Sequence, residues 1–196
     1  MSTTTRWTSR DLESLPDDGT RYEIIDGELF MSTQPHLYHQ FVCSRLASQL
    51  DRWNEVAGLG EVAVAPGLIF AEDDDVAPDI VWIGNASLAA AFRPDGKLHD
   101  APELVIEVLS PGSVNERRDR EAKLKLYSRR GVGEYWIASW QTRSVDVYRR
   151  EEAELKLVGS LDETDTLQSP LLVGFSCLVS VLFARIPIGM QGEPKV

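Results

Sequence analysis

Residues 104–110 read LVIEVLS, a run of aliphatic and β-branched side chains interrupted by one carboxylate, Glu107. A strand covered on both faces reads as a near-continuous apolar run, so this stretch has the character of a central buried strand. An ionised glutamate inside it is costly unless a partner holds it. Side chains alternate along a strand, so Glu107 projects on the same side as Val105 and Leu109, away from Leu104, Ile106 and Val108. Upstream, PDIVWI at 78–83 is a second apolar run with Asp79 at its start. If the two strands are neighbours, the carboxylates converge. Two carboxylates about 4 Å apart repel by roughly 4 kcal/mol at an effective dielectric of about 20. Either one of them keeps a proton, or a divalent cation lies between them. Hard oxygen ligands of this kind suit Mg²⁺ and Mn²⁺, and a metal held there activates water and stabilises charge on a phosphoryl oxygen.

Outward from these strands the chain reads as a mixture of strands and helices. RYEIIDGELFMS at 21–32 sets Asp26-Gly27 between two apolar runs, a strong hairpin signal. The stretch 36–56 has Leu37, Phe41, Leu46, Leu50 and Trp53 at helical intervals and predicts an amphipathic helix. EVAVAPGLIFA at 61–71 is a strand, or a strand pair broken at Pro66-Gly67. Glu72 to Asp75 form an acidic run without the spacing of a calcium loop, and read as a solvated turn. Residues 84–101 read as loop and short helix, and 115–130 as a charged helix closed by Gly131. GEYWIAS at 133–139 is a strand, 144–150 and 154–160 form a second hairpin, and 171–184 completes the core. A short helix over 7–15 precedes all of this, opened by Thr8 or Ser9. This order of elements indicates an α/β domain on a mixed sheet. The expected organisation is an N-terminal helical extension at 1–20, one domain at 21–186 and a tail at 187–196.

The chain has 196 residues, with 20 Lys and Arg against 31 Asp and Glu, a net charge of −11. That balance argues against a general nucleic-acid coat protein, because phosphate contacts need basic side chains. The exception is 112–130, where seven cations (Arg117, Arg118, Arg120, Lys123, Lys125, Arg129, Arg130) face three carboxylates. This stretch reads as a local basic face that DNA could meet. Cys43 and Cys177 lack a CxxC or a histidine cluster, and read as reduced buried thiols. No apolar leader opens the sequence and 171–184 is too short for a membrane span, so a cytoplasmic protein is expected.

YEIIDGELFMS, the helix bearing His39, PDIVWI, PELVIEVLSPGS, RDREAKLKLY and GVGEYWI together resemble the large restriction-endonuclease-like family of unknown function in the PD-(D/E)xK nuclease superfamily. The resemblance runs in order over about residues 20–185. It implies a restriction-endonuclease-like fold, with a mixed central sheet flanked by helices and here an additional β-hairpin. It also implies metal-dependent phosphodiester hydrolysis. Asp79 matches the D of the motif and Glu107 the (D/E). The lysine position falls on Leu109, which cannot serve, and Lys123 on the following helix matches the family's relocated lysine. Asp119, Lys123 and Tyr127 are spaced i, i+4, i+8 and share one helix face. Lys125 lies off that face and reads as solvated. The resemblance also marks Glu23, as a further ligand to metal or water, and His39, as a phosphate contact or proton carrier.

Plainer readings exist for each residue. Glu107 can sit at a half-exposed strand edge, Asp79 in a turn after Pro78, and Lys123 in an ordinary helical ion pair with Asp119 worth about 0.3–0.5 kcal/mol. Glu23 can be a surface carboxylate and His39 a helix histidine bonded to backbone. The aromatics Trp82, Tyr135 and Trp136 read as core. Two functions follow: a Mg²⁺- or Mn²⁺-dependent DNA endonuclease with Asp79, Glu107 and Lys123 at its centre, or a catalytically silent binding domain on the same scaffold. Hydrolysis of RNA or another phosphate ester is a third. Cutting both strands of a duplex commonly uses two sites, so a homodimer is expected by analogy, through the outer face of GEYWIAS or the second hairpin.

Overall fold

A computed structural model describes residues 6–187; the expected tail beyond Pro187 lies outside the described residues. The buried run at 104–110 forms β7 (Leu104–Val108), every residue of which is buried. It lies inside a six-stranded sheet with β6 (Ile80–Gly84) and β3 (Gly60–Val64) on one side. On the other side are β8 (Glu134–Ser139), β9 (Ser144–Glu151) and β10 (Glu154–Leu161). β6 and β7 are antiparallel, with Ile80 opposite Ile106 and Trp82 opposite Leu104. β7 and β8 are parallel. A parallel pair needs a crossover, supplied by α4 (Ser113–Arg117), a π-helical turn (Arg118–Lys123) and α5 (Leu124–Arg130). Gly131 ends α5 in the left-handed conformation, φ 93°.

Alternation along these strands separates two cores. Leu104, Ile106 and Val108 pack with Ile80, Trp82, Trp136 and α2 (Leu37–Ala57). Val105 and Leu109 pack with Val81, Tyr135 and Ile137 beneath Leu126 and Tyr127 of α5. The crossover helix therefore covers the face on which Glu107 projects. A smaller four-stranded sheet closes this side: β2 (Glu28–Ser32), β1 (Arg21–Ile25), β5 (Asp74–Val76) and β4 (Leu68–Ala71). Asp26 and Gly27 join β1 to β2 with φ 55° and 75°, the positive pair of a type I′ turn, in the hairpin that the sequence predicts. Peripheral elements are α1 (Ser9–Leu12), α3 (Asn85–Ala91), the pair β11 (Thr166–Gln168) and β12 (Ser176–Leu178), and α6 (Val179–Leu182). Cys43 and Cys177 are free and buried. No helix among the described residues is long and apolar enough to cross a membrane.

Three expectations need correction. The buried stripe of α2 runs through His39, Val42, Cys43, Leu46 and Leu50, whereas Leu37 and Phe41 are exposed; a step of five between Phe41 and Leu46 takes the first two off the stripe. The acidic run at 72–75 is not wholly a solvated turn. Asp74 and Asp75 lie in β5 and are buried; two arginines of α5 reach across to Asp74, and Lys97 lies 3.7 Å from Asp75. GEYWIAS offers no outer face for a second subunit, since β8 is an interior strand buried along its length.

Candidate active site

One more step along the β6–β7 register sets Asp79 opposite Glu107. Residues opposite each other in an antiparallel pair share a face of the sheet. Both side chains line one cleft of about 470 Å³, together with Arg21, His39, Asn115 and Arg118. The Asp79 carboxylate is held at both oxygens: Oδ2 accepts from Val108 N at 2.8 Å and lies 3.1 Å from His39 Nε2, and Arg21 reaches Oδ1 at 3.3 Å. Arg21 also donates to the carbonyl of Ala77.

Glu107 is 2% exposed. Lys123 Nζ donates to its Oε1 at 2.8 Å and the Tyr127 hydroxyl to the same atom at 2.9 Å. Oε2 is left as the oxygen that can meet a cation in the cleft. Lys123 is itself 1% exposed and lies 2.9 Å from Glu23 Oε1 and 3.9 Å from Asp119 Oδ1. Glu23 further accepts from Ala77 N at 2.9 Å and pairs through Oε2 with Arg118 at 3.6 Å. Arg118 donates to Asp119 at 2.9 Å, and Tyr135 fixes the Asp119 backbone carbonyl at 2.9 Å. Every candidate from the sequence therefore meets in one cluster: Asp79, Glu107, Lys123, Glu23, His39, Asp119 and Tyr127. Leu109 packs in the core on the same face. The strand offers no lysine, and the helix supplies one.

Glu23, expected as a further metal or water ligand, is held by Ala77 N, Lys123 and Arg118 much as Asp79 is held by its own partners. Arg21 and Arg118 are functional-looking residues that the sequence reading left without a role at the site. Arg21 carried no signal beyond opening the first hairpin, and Arg118 was submerged in the basic run. The expected basic face of 112–130 is largely neutralised. Arg118 and Lys123 are buried in the cluster, Arg120 pairs with Asp146, and Arg129 and Arg130 pair with Asp74. Lys125 is exposed.

Among the described residues the cluster holds four carboxyl groups (Glu23, Asp79, Glu107, Asp119) against three cations (Arg21, Arg118, Lys123). Burial resists ionisation of Asp79, but hydrogen bonds from His39 and Val108 and the charge of Lys123 outweigh it and hold this carboxyl well below the usual range. Glu23 is likewise held low by Lys123, Arg118 and Arg21 against its burial. Glu107 goes the other way: burial, with Asp79, Asp119 and Glu23 nearby, exceeds the pull of Lys123 and pushes it up to about 8. Without a cation in the cleft, Glu107 is the carboxyl that keeps a proton. Lys123 stays charged, because Glu107, Glu23 and Asp119 more than offset its burial. An ammonium held this firmly is not a general base; it can donate hydrogen bonds and supply charge.

These donors fit a hard divalent cation. Asp79 and Glu107 face each other, and the cluster has one negative charge more than its cations can balance. His39, Cys43 and Asp79 also bring a nitrogen, a sulfur and an oxygen within 4.8 Å of one another. Burial pushes the Cys43 thiol far up, however, and a protonated thiol is a poor ligand. That group reads better as support for Asp79.

A family model described as "Putative restriction endonuclease" matches residues 9–181. No functionally curated protein matches the chain. The crystal structure of a putative nuclease of the DUF820 group from Anabaena variabilis is similar with a TM-score of 0.71 at 17% identity, over 90% of this chain and 97% of that one. At that identity the likeness shows the fold. The type IIG restriction endonuclease BpuSI is similar with a TM-score of 0.44 at 12% identity, over 74% of this chain and 15% of that one.

Proposed function

The chain belongs to the Uma2 family of restriction-endonuclease-like proteins, and from that membership we propose that it is a Mg²⁺- or Mn²⁺-dependent endonuclease that cuts DNA. The observation that carries the proposal is the pairing of Asp79 with Glu107 across neighbouring strands, with Lys123 2.8 Å from Glu107. Asp79 and Glu107 would hold the cation. A bound divalent ion supplies an activated water and neutralises charge on a phosphoryl oxygen. The remaining work falls to side chains. Lys123 and Tyr127 fix the Glu107 carboxylate, and Lys123 places a positive charge beside the reacting phosphate. Glu23 and Asp119 hold Lys123 on its perch, and Arg118 ties the two carboxylates together. His39 and the Val108 amide orient Asp79.

Incubation of the purified protein with plasmid and with single-stranded DNA in Mn²⁺ tests this. Metal-dependent cleavage lost in Glu107→Ala and reduced about 100-fold or more in Lys123→Ala is expected, the scale of losing one preorganised electrostatic contact. No metal-dependent cleavage of any polynucleotide would favour the silent binding domain instead, a reading to which the net charge of −11 already lends weight.

By analogy with enzymes that commonly use two sites to cut both strands of a duplex, we assign pairing of two copies to the outer edge of β10, where Leu157 is 53% and Val158 44% exposed. Sedimentation of a monomer at micromolar concentration would reject that assignment.

A further inference from the structure

A row of aromatic residues runs from the first core out to the cleft. His36 lines the same cleft as Asp79 and Glu107, and it is exposed. Its ring stacks on Trp140, with centroids 4.8 Å apart and planes 16° from parallel. Trp140 is buried and packs in the core, so it fixes the imidazole from behind. Tyr38 buttresses both rings, 4.9 Å from His36 and 5.4 Å from Trp140. Phe41, 39% exposed, continues the row 6.2 Å from Tyr38, with the Arg45 guanidinium 5.6 Å from its ring. The His36 Nδ1 accepts from Tyr38 N at 3.1 Å as the cap of α2, which further locks the ring.

Charge points the same way. The cations in the cleft are engaged internally, Arg21 by Asp79 and Ala77, and Arg118 by Asp119 and Glu23. A duplex binds chiefly through phosphate neutralisation, for which few unpaired cations remain near the cleft among the described residues. Stacking on aromatic faces adds to whatever phosphate contacts are made, and only bases that are unpaired present a free face.

We propose that His36, backed by Trp140 and flanked by Tyr38, is a stacking platform for an unpaired nucleobase beside the scissile phosphate, so that the preferred substrate is single-stranded. This rests on the nuclease reading for the position of the phosphate. It is testable by binding alone.

Fluorescence anisotropy with a labelled oligodeoxynucleotide, single-stranded or annealed to its complement, in Ca²⁺, measures binding apart from cleavage. Two substitutions separate the ring from the helix cap. His36→Asn keeps a capping oxygen and removes the ring; His36→Phe keeps a ring and removes the cap. The single strand should bind more tightly than the duplex. His36→Asn should weaken single-strand binding roughly 5- to 100-fold, the range of one base stack, and His36→Phe should largely retain it. Duplex binding as tight as single-strand binding, an unchanged His36→Asn, or a His36→Phe as weak as His36→Asn would each overturn the proposal. Plasmid cleavage without single-strand preference would overturn it while leaving the nuclease reading intact. Tight single-strand binding without any cleavage in Mn²⁺ would do the reverse.

Discussion

Lys123 donates to Glu107 across 2.8 Å although the two are sixteen positions apart in sequence. The contact follows from topology. β7 and β8 are parallel, so the chain must cross over between them. The crossover helix packs on the face toward which Val105, Glu107 and Leu109 project. A long side chain on its inner surface then has only the sheet to meet. The π-helical turn Arg118–Lys123 widens the helix where Asp119 and Lys123 enter the cluster, a departure often found at functional sites.

Lys123 balances buried negative charge, so removing it should cost stability as well as function. Lys123→Met leaves Glu23 without its nearest cation in a site about as dry as the core. Breaking a buried pair in this way costs about 3–5 kcal/mol. Urea denaturation of the metal-free protein should show a midpoint shift of that order, and added Mn²⁺ should recover part of it.

The raised Glu107 carboxyl gives a pH dependence of definite sign. In the unfolded chain this group titrates near 4.5, and in the fold near 8. Its contribution is fully present below pH 4.5 and is lost as pH rises toward 8, at no more than about 1.4 kcal/mol per pH unit. Asp79 and Glu23 are depressed and stay ionised across that window, so they add no opposing slope. Thermal melts of the metal-free protein should therefore fall in midpoint from pH 5 to pH 8. A midpoint that rises over this range would show that Glu107 is ionised in the fold.

His39 touches Asp79 and not Glu107, and Cys43 lies 3.5 Å from its other nitrogen. On the proposed reading it would orient Asp79 as a metal ligand. Substitution of such supporting groups typically weakens metal binding about 10- to 100-fold. His39→Ala should do so, and because the ring is buried against the Asp79 carboxylate it should also destabilise the metal-free protein by about 1–3 kcal/mol.

Asp74 is a structural counterpart outside the cluster. It joins β5 to α5 through Arg129 at 2.7 Å and Arg130 at 2.5 Å. Both arginines are about one-third exposed, so solvent screens part of the interaction. Asp74→Ala should cost about 1–2 kcal/mol and leave Mn²⁺ affinity unchanged.

How far the sequence carried differs by residue. The sides taken by Val105, Glu107 and Leu109 follow from alternation alone, and the fold agrees. The grouping of Asp119, Lys123 and Tyr127 was legible from their spacing, because four- and eight-residue steps keep one face. The π-helical turn was not, since nothing in RDREAK marks it. The burial of Asp74 and Asp75 was hidden because EDDD has the composition of a turn, and the arginines that hold Asp74 lie far along the chain. The same long-range pairing dissolved the basic face expected over 112–130. GEYWIAS was readable as a strand, but its interior place required the strand order.

Mn²⁺ binding to the intact protein by titration calorimetry at pH 7, beside Glu107→Gln, tests most directly whether Asp79 and Glu107 form a cation site. The expected result is one ion per chain, with uptake of about one proton by the buffer as Glu107 gives up its own, and loss of that binding in the variant. Absence of binding to the unaltered protein, or equal binding with equal proton release in Glu107→Gln, would contradict it.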